Sequence, residues 1–507
     1  PSIGILMSEQ TKPVRVEAID WSDVLPVSRL FGSFRLAIAP SHLLLALLMV
    51  VGVYLGGRAM DGLIWGERVY PGEIEFFAAA DGETFDKWLE AQERDVQRQL
   101  RQLVVAAPGR VDDLDALVES EDRFDAAAAA IHNQYEEAMA SSDDSSLAER
   151  RRKALAKLKE IQPRGVFAAS LAFKLDAFDR LVRSAARLRV GLGQLRGRQT
   201  APDSVIGALG DLLVTLPSWM VRQHPLFLLI FWLGSLAIWS LLGAAIARSA
   251  AARIGQLEAT GPSAAMRYAA RRWLWFFLAP LIPLILVAVL VVGLVLGGAI
   301  FFNVPVLDIL GGLVFAAALA VGAAASLLLI GLAAGYGLLQ PAIAVEGTDA
   351  FDAVSRAFSY VYGRPWRWLF YNAVALVYGA ITYLFVGAVV FLTIWLTQRC
   401  VGAWVLAGDG PVAHFDAMFP EPTLGRVSHE VAWGQLSTTG KITAALIAVW
   451  IYLLIALVGA YAVSFYQCSQ TWIYLLLRRS ADGTSCDHVW EEPGEPVAVP
   501  GALGDAD

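Results

Sequence analysis

Six apolar stretches, each long enough to cross a bilayer as a helix, leave this chain few ways to fold. A helix needs about 20 mostly apolar residues to traverse the hydrocarbon core, where lipid offers no partner for a free N–H or C=O. The stretches fall near residues 36–57, 225–247, 273–300, 306–339, 369–397 and 442–476. Several exceed the minimum, which calls for tilt or an interfacial extension. With 56% hydrophobic and 17% charged residues and a mean hydropathy of +0.53, the composition excludes an ordinary water-soluble domain. The expected fold class is all-α: a six-span helical membrane bundle with cytoplasmic interfacial amphipathic helices and an extracytoplasmic helical domain between spans one and two.

Orientation follows from the short loops, because Lys and Arg gather on the cytoplasmic side. Between spans two and three stand Arg248, Arg253, Arg267, Arg271 and Arg272 against one acid, Glu258. Arg356, Arg364 and Arg367 precede span five, Lys12, Arg15, Arg29 and Arg35 precede span one, and Arg478 and Arg479 close the last span. With six spans all four groups lie on one side, so both termini are expected in the cytoplasm and residues 58–222 and 398–441 outside. The resulting division is a leader at 1–35 with an interfacial helix, span one at 36–57 and an extracytoplasmic domain at 58–222. A five-span membrane domain follows at 223–479, then an acidic disordered tail at 480–507. That tail holds Asp482, Asp487, Glu491, Glu492, Glu495, Asp505 and Asp507, which account for the whole formal charge of −7. Residues 1–6 precede Met7, where we expect the native start.

The segment after span one is charged and helix-patterned. In FDKWLEAQERDVQRQLRQLVV, Phe85, Leu89, Leu100 and Leu103 fall near one face. Further helices are expected at 111–140, 146–161 and 167–196, separated by PGR, SSDDSS and QPRG, with Ser145 or Ser146 as a cap and Glu149 near the third helical position. The return, SVIGALGDLLVTLPSWMVRQHP, is amphipathic and reads as an interfacial approach to span two.

The same order of features precedes spans one, three and five: a small-residue start, an Arg, aromatics, a second Arg, then the apolar run. These stretches are PVSRLFGSFRLAIAP, PSAAMRYAARRWLWFF and DAVSRAFSYVYGRPWRWLF. Two accounts stand. Either the chain holds three tandem units of interfacial helix plus two spans, or the charge and aromatic rules of membrane insertion produce the likeness at each site. In the third stretch Phe351, Val354, Phe358 and Val361 share one helical face while Asp352, Ser355, Arg356 and Ser359 share the other. Pro365 breaks that helix, and Trp366 and Trp368 are placed to anchor span five at headgroup depth.

Ala353, Arg356, Ala357 and Phe358, then Gly363, Arg364 and Trp366, and finally Tyr474, Arg478 and Gly483 form a set of short motifs. In these the chain resembles uncharacterised bacterial multi-pass proteins related to the membrane domain associated with glycerophosphoryl diester phosphodiesterases. The closing motif departs from that pattern, because Leu475 to Leu477 stand where the group carries an acid. The resemblance covers about spans two to six and implies an integral helical membrane domain of a bacterial inner membrane, without the phosphodiesterase barrel.

Chemistry-bearing patterns are scarce. The chain has no phosphate-binding G-x-x-x-x-G-K-S/T loop, no G-x-S-x-G elbow and no H-E-x-x-H helix. Cys400, Cys468 and Cys486 are too scattered for a disulfide framework and read as free thiols. His414, Asp416, Glu421, His429 and Glu430 would suit Zn²⁺ if they converged, but no compact spacing brings them together and the reading adopted is a solvated loop. At membrane depth His42, Asn372 and Tyr383 are the polar residues noted, with Asp308 at the start of span four, too little charge for a proton-driven path. Gly312, Ala316, Ala320, Ala324, Gly331 and Gly335 give span four a small-residue face suited to helix packing. Arg29, Arg35, Arg267, Arg271, Arg272, Arg356, Arg364 and Arg367, with Trp366 and Trp368, are expected at lipid headgroups. The basic run 148–160 reads as a solvated face, and nucleic-acid binding is not expected. No cofactor is expected.

The expected function is a non-enzymatic membrane scaffold or accessory subunit, with membrane lipids and other envelope proteins or a second copy as partners. A lipid or amphipath transporter is the alternative, and a membrane-embedded lipid or glycan enzyme the third.

Overall fold

A computed structural model describes residues 25–64, 66–79, 82–108, 123–141, 146–187, 189, 204–257, 261–304, 306–403, 415, 417–420, 431, 436 and 438–491. Among them the chain is helical almost throughout. A 3₁₀ turn at Pro26–Phe31 leads into α1 (Gly32–Ala37) and α2 (Pro40–Ala59), which ends in a π turn at Met60–Ile64. The next elements are β1 (Arg68–Val69), α3 (Glu73–Ala79), α4 (Gly82–Val105), α5 (Arg123–Ser141), α6 (Ser146–Ile161), β2 (Arg164–Gly165) and α7 (Val166–Ala186). Then α8 (Val205–Gly210) and α9 (Leu216–Gln223) flank a π turn at Asp211–Thr215, and α10 (Pro225–Ile238) and α11 (Ala244–Ile254) flank another at Trp239–Gly243. Last come α12 (Pro262–Arg271), α13 (Trp273–Phe302), α14 (Leu307–Glu346), α15 (Ala350–Gly363), α16 (Pro365–Gly402) and α17 (Thr438–Asp482).

Seven helical runs are long and apolar enough to cross a membrane: Pro40–Gly62, Val205–Gln223, Pro225–Ile254, Trp273–Phe302, Leu307–Glu346, Pro365–Gly402 and Thr439–Asp482. Six of them overlap the expected spans, and the chain is an all-α, multi-pass membrane protein. Val205–Gln223 is the additional candidate, in the stretch read from sequence as an interfacial approach.

The observed helices of spans two, four, five and six overrun the expected ones at the ends that were expected to face the cytoplasm. Arg248 and Arg253, assigned above to a loop, lie within α11, and Arg248 is only 6% exposed. The 40 residues of α14 span about 60 Å at 1.5 Å per residue, twice the hydrocarbon thickness. Hydropathy alone stops counting where such a helix leaves lipid and enters protein.

Contacts divide the chain into two compact units, one of Pro1–Met49, Trp239–Val389 and Ala456–Asp507, the other of Val50–Ile238 and Val390–Ile455. In the first, α13 and the N-terminal part of α14 expose apolar side chains such as Val295, Ile309 and Leu313, and only 6% of each helix's apolar window is buried. An apolar helix bare on most of its surface is a helix that lipid must cover. The other ends of α11, α14 and α17 are buried on every face, over Ala244–Ala252, Leu338–Val345 and Ile473–Arg478. Short helices stand just before α2, α13 and α16, where the three arginine-and-aromatic stretches were found, and each turns small residues inward: Ser33 and Ala37, Ala265 and Ala269, Ala353 and Ala357.

Of the apolar face expected on α15, Val354 and Val361 are buried, Phe358 is half-buried and Phe351 is 72% exposed; the helix packs through Ala350, Ala353, Val354, Ala357, Tyr360 and Val361. One expectation for this unit is corrected. The tail does not begin at 480. Helix α17 runs to Asp482, Gly483 ends it at φ +72°, and Cys486 and Val489 are buried. Their apolar side chains return the segment to the core, and residues 492–507 lie outside the described residues.

The second unit has its own cores. One gathers Met60, Val69, Ile74, Val166, Phe167, Trp219 and Phe227; another gathers Leu100, Val104, Ile131, Tyr135, Leu158 and Ile161 from α4, α5 and α6. The carboxylate of Asp61 caps α7 from 106 residues away, accepting from the N–H groups of Phe167 (2.8 Å) and Ala168 (2.9 Å). A Cβ on Gly165 would stand 2.3 Å from Asp61 Cγ, so only glycine admits that cap. The expected helix 146–161 is observed as drawn. The helix expected at 167–196 ends at Ala186, and the Ser145 cap, residues 109–122 and residues 190–196 lie outside the described residues.

Candidate functional site

The described polar groups at membrane depth concentrate where α11, α14 and α17 meet. The meeting place is built from three similar nine-residue runs: WSLLGAAIA from Trp239, YGLLQPAIA from Tyr336 and YQCSQTWIY from Tyr466. Each begins with an aromatic and carries Ile seven residues later, at Ile246, Ile343 and Ile473; the fifth positions are Gly243, Gln340 and Gln470.

Several of their side chains pair with one another, while Ser240 Oγ and Trp472 Nε1 are buried without a hydrogen-bond partner among the described residues. The π turn at Trp239–Gly243 shifts the local backbone pairing, and Gln340 Nε2 donates to Trp239 O at 3.2 Å. Gln467 Nε2 donates to Gln340 Oε1 at 2.8 Å, and Gln470 Nε2 to Asn372 Oδ1 at 3.0 Å. The rings of Trp239 and Tyr466 lie 5.9 Å apart. Glycine lets these amides come close: a Cβ on Gly243 would stand 2.7 Å from Gln467 Nε2, and one on Gly337 would stand 2.5 Å from Gln470 Oε1, so either amide would have to shift.

Beyond this crossing, arginines and the returning tail close the end of α14. The last carbonyls of a helix lack intrahelical donors and carry negative partial charge. Ile343 O accepts from Tyr268 OH at 2.8 Å, Ala344 O from Arg248 Nη1 at 2.9 Å, Val345 O from Trp490 N at 2.8 Å, and Gly347 O from Arg272. Arg248 also donates to Trp490 O at 2.9 Å and lies 4.4 Å over the Tyr268 ring. Gly347, at φ +68°, turns the chain away as a left-handed cap.

A buried ion pair lies beside that cap. Arg478 is 1% exposed; its Nη1 donates to Glu346 Oε1 at 2.7 Å, and its Nη2 donates to Ser485 O and His488 O at 2.9 and 2.6 Å. Tyr474, one turn earlier, donates to the same carboxylate oxygen at 3.2 Å. The Tyr474 and Arg478 of the closing motif therefore converge on one acid. On α15, Tyr360 OH donates to Asp482 at the end of α17, and burial together with that carboxylate holds the phenol well above its usual range.

His42 has both ring nitrogens occupied. Leu36 O lies 2.8 Å from Nδ1, which assigns the proton there, and Ser249 Oγ lies 2.8 Å from Nε2. Cys468 Sγ is 3.6 Å from that same Nδ1, which, already donating to Leu36, is no base for the thiol. The group is a packed hydrogen-bond cluster without an activated nucleophile.

The other expected site residues are dispersed. Arg35, Arg267, Arg271 and Arg367 are exposed, Arg29 and Arg364 half-buried, and Arg272 is drawn onto Gly347 and 4.7 Å over the Trp490 ring. Arg356 pairs with Asp352 at 2.8 Å, Trp366 is 80% exposed, and Trp368 is half-buried. The small-residue face of span four divides: Gly331 and Gly335 pack against Phe358 and Ala357 of α15, while Gly312, Ala316, Ala320 and Ala324 are exposed. His414, Asp416, Glu421, His429 and Glu430 lie outside the described residues, and among those described no three His, Cys, Asp or Glu residues form a metal-holding group. The glutamine crossing escaped sequence reading, although the Tyr-x-x-x-Gln spacing at 336–340 and 466–470 was the available signal.

No family model, curated protein or solved structure matches the chain.

Proposed function

We propose that this chain is a non-enzymatic scaffold or accessory subunit of a bacterial inner-membrane assembly, built from three tandem units of interfacial helix plus two spans. The observation that supports it is the pairing of buried polar groups from one helix to another: Gln340 with Gln467, Gln470 with Asn372, His42 with Ser249, Arg478 with Glu346. A transport path keeps polar groups for its solute. Here they join one helix to the next. The three similar core runs and the three short helices before α2, α13 and α16 support triplication. The relation to phosphodiesterase-associated membrane domains rests on the motifs of Ala353, Arg356, Ala357 and Phe358, of Gly363, Arg364 and Trp366, and of Tyr474, Arg478 and Gly483, of which Tyr474 and Arg478 meet on Glu346.

The topology that goes with this reading has six crossings, both termini cytoplasmic, and Val205–Gln223 lying along the interface. Asp211 reaches Arg180 at 2.9 Å and Trp219 Nε1 reaches Glu73 at 3.2 Å, so this helix offers protein one face and lipid the other. Thiol labelling in intact cells tests it: Lys153→Cys is expected to react from outside and Ser359→Cys from inside only. The role itself is tested by isolating the full chain from crosslinked membranes, where a stoichiometric envelope protein is expected. Lipid scrambling or solute uptake by the protein alone in vesicles, abolished by Gln340→Leu, would replace scaffold with transporter.

A further inference from the structure

The C-terminal end of α7 carries more positive charge than its helix dipole needs. Arg180, Arg183, Arg187 and Arg189 line, with Ser184, a cavity of about 30 Å³ open to the surface. Two of the four are engaged by acids: Arg180 by Asp176 at 3.0 Å and Asp211 at 2.9 Å, and Arg183 by Asp179 at 2.8 Å. Arg187 and Arg189 meet no acid within 4.0 Å among the described residues. Guanidinium groups fit phosphate oxygens as they fit carboxylates, through paired N–H donors. The hollow has room for water-sized groups, and so for phosphate oxygens, with the rest of the group outside.

The same place adjoins an apolar face. Val205 N donates to Arg189 O at 3.0 Å, so α8 starts at the hollow, and Asp211 in the following π turn returns to Arg180. Along this helix Ala208, Leu216, Trp219 and Met220 are buried while Leu209, Leu213, Val214 and Val221 are exposed, Leu213 at 71%. One residue, His224, separates the helix from Pro225–Ile254, a run able to cross the bilayer. Whether Val205–Gln223 lies along the membrane or crosses it, its first residues stand at headgroup depth.

We infer that the arginine hollow binds the phosphate of an anionic phospholipid whose acyl chains lie along Leu209, Leu213 and Val214. Arg187 and Arg189 supply the free donors, Arg180 is held in place by its two aspartates, and the exposed leucines favour a lipid over a soluble anion. This assignment is independent of the scaffold reading, since it concerns lipid affinity alone.

The full-length protein in neutral detergent is to be titrated with short-chain phosphatidylglycerol, phosphatidylcholine and inorganic phosphate at fixed salt, with retention read by native mass spectrometry. Phosphatidylglycerol is expected to bind in preference to the other two. Arg187→Gln with Arg189→Gln is expected to weaken it about thirtyfold, from roughly fivefold per basic residue. Arg98→Gln, an exposed change on α4, serves as the control and leaves binding as it was. Both tested arginines are exposed, so the fold survives their replacement. Unchanged phosphatidylglycerol binding in the double variant would overturn the site, and inorganic phosphate competing at equal concentration would overturn the lipid assignment.

Discussion

Replacing Arg478 by Met removes a buried charge whose three hydrogen bonds join α14, α17 and the returning tail. The bonds are 2.7 Å to Glu346, 2.9 Å to Ser485 O and 2.6 Å to His488 O. Met matches the stem in volume, so the loss falls on the charge and its donors. Removing one partner of a buried pair costs about 3–5 kcal/mol, and because the Glu346 side chain keeps 18% of its exposure, water can reach it and the cost is set at the low end, about 3 kcal/mol. Neutralising the stranded partner should return part of this, so Glu346→Gln with Arg478→Met is expected to recover about 1.5 kcal/mol relative to Arg478→Met alone. Glutamine still accepts from Tyr474. Unfolding in mixed micelles titrated with dodecyl sulfate measures the cycle, and protease cleavage after residue 483 reports whether the tail has come away. A single variant within about 0.5 kcal/mol of the parent, or a cycle that adds without coupling, would refute the claim that this pair fastens the two helices.

Glu73 gives a pH prediction for the second unit. Burial raises its carboxyl above the usual range despite donors from Tyr70 N and Trp219 Nε1. Its folded pKa thus exceeds its unfolded one, so its contribution is complete below the unfolded value near 4.5 and is lost as pH rises through the folded value. Amide exchange across α3 and α9 should accelerate over that rise, and Glu73→Gln should flatten the dependence; an unaltered slope would clear Glu73 of the effect. Gly331→Ala is expected to cost about 1–3 kcal/mol because its Cβ would stand 2.8 Å from the Phe358 ring. Phe358→Leu should relieve that cost, and a fully additive pair would mean α15 does not rest there. Gln340→Leu strands Gln467 and Trp239 O, for about 1–3 kcal/mol, and adding Gln467→Leu should return part of it in the same micelle assay.

The apolar runs were legible because crossing lipid demands little more than twenty residues without charge, and each expected span lies within or closely overlaps an observed helix. Their inner ends were not. Arg248, read as a positive-inside loop residue, lies within a helix and donates to Ala344 O and Trp490 O, since buried helix-end carbonyls can take the place of water around a guanidinium. Charge alone cannot separate these two fates. Hydrophobic spacing gave the apolar face of α15 without saying which part packs, and the buried part follows size, through Ala353 and Ala357. The tail was misread because its acids dominate the composition while Cys486, Val489 and Trp490 decide where it goes.

The core runs show why a proposed triplication would be faint in sequence. Where α13 and the N-terminal part of α14 meet lipid, any apolar residue serves, so nothing preserves a match between units. At the crossing each position faces two other helices, and there the runs from Trp239 and Tyr336 still share both leucines, Ala, Ile and Ala. The departures occur where exact repetition would collide. Side chains directed at a common point cannot all be long, and with Gln340 and Gln467 already joined, a Cβ at Gly243 would meet them at 3.0 and 2.7 Å. Gly243 stands where the other two runs carry Gln340 and Gln470, and its backbone fills the place a third amide would need. A glutamine at that position would meet the pair already joined, and the π turn there presents the Trp239 carbonyl that Gln340 takes up.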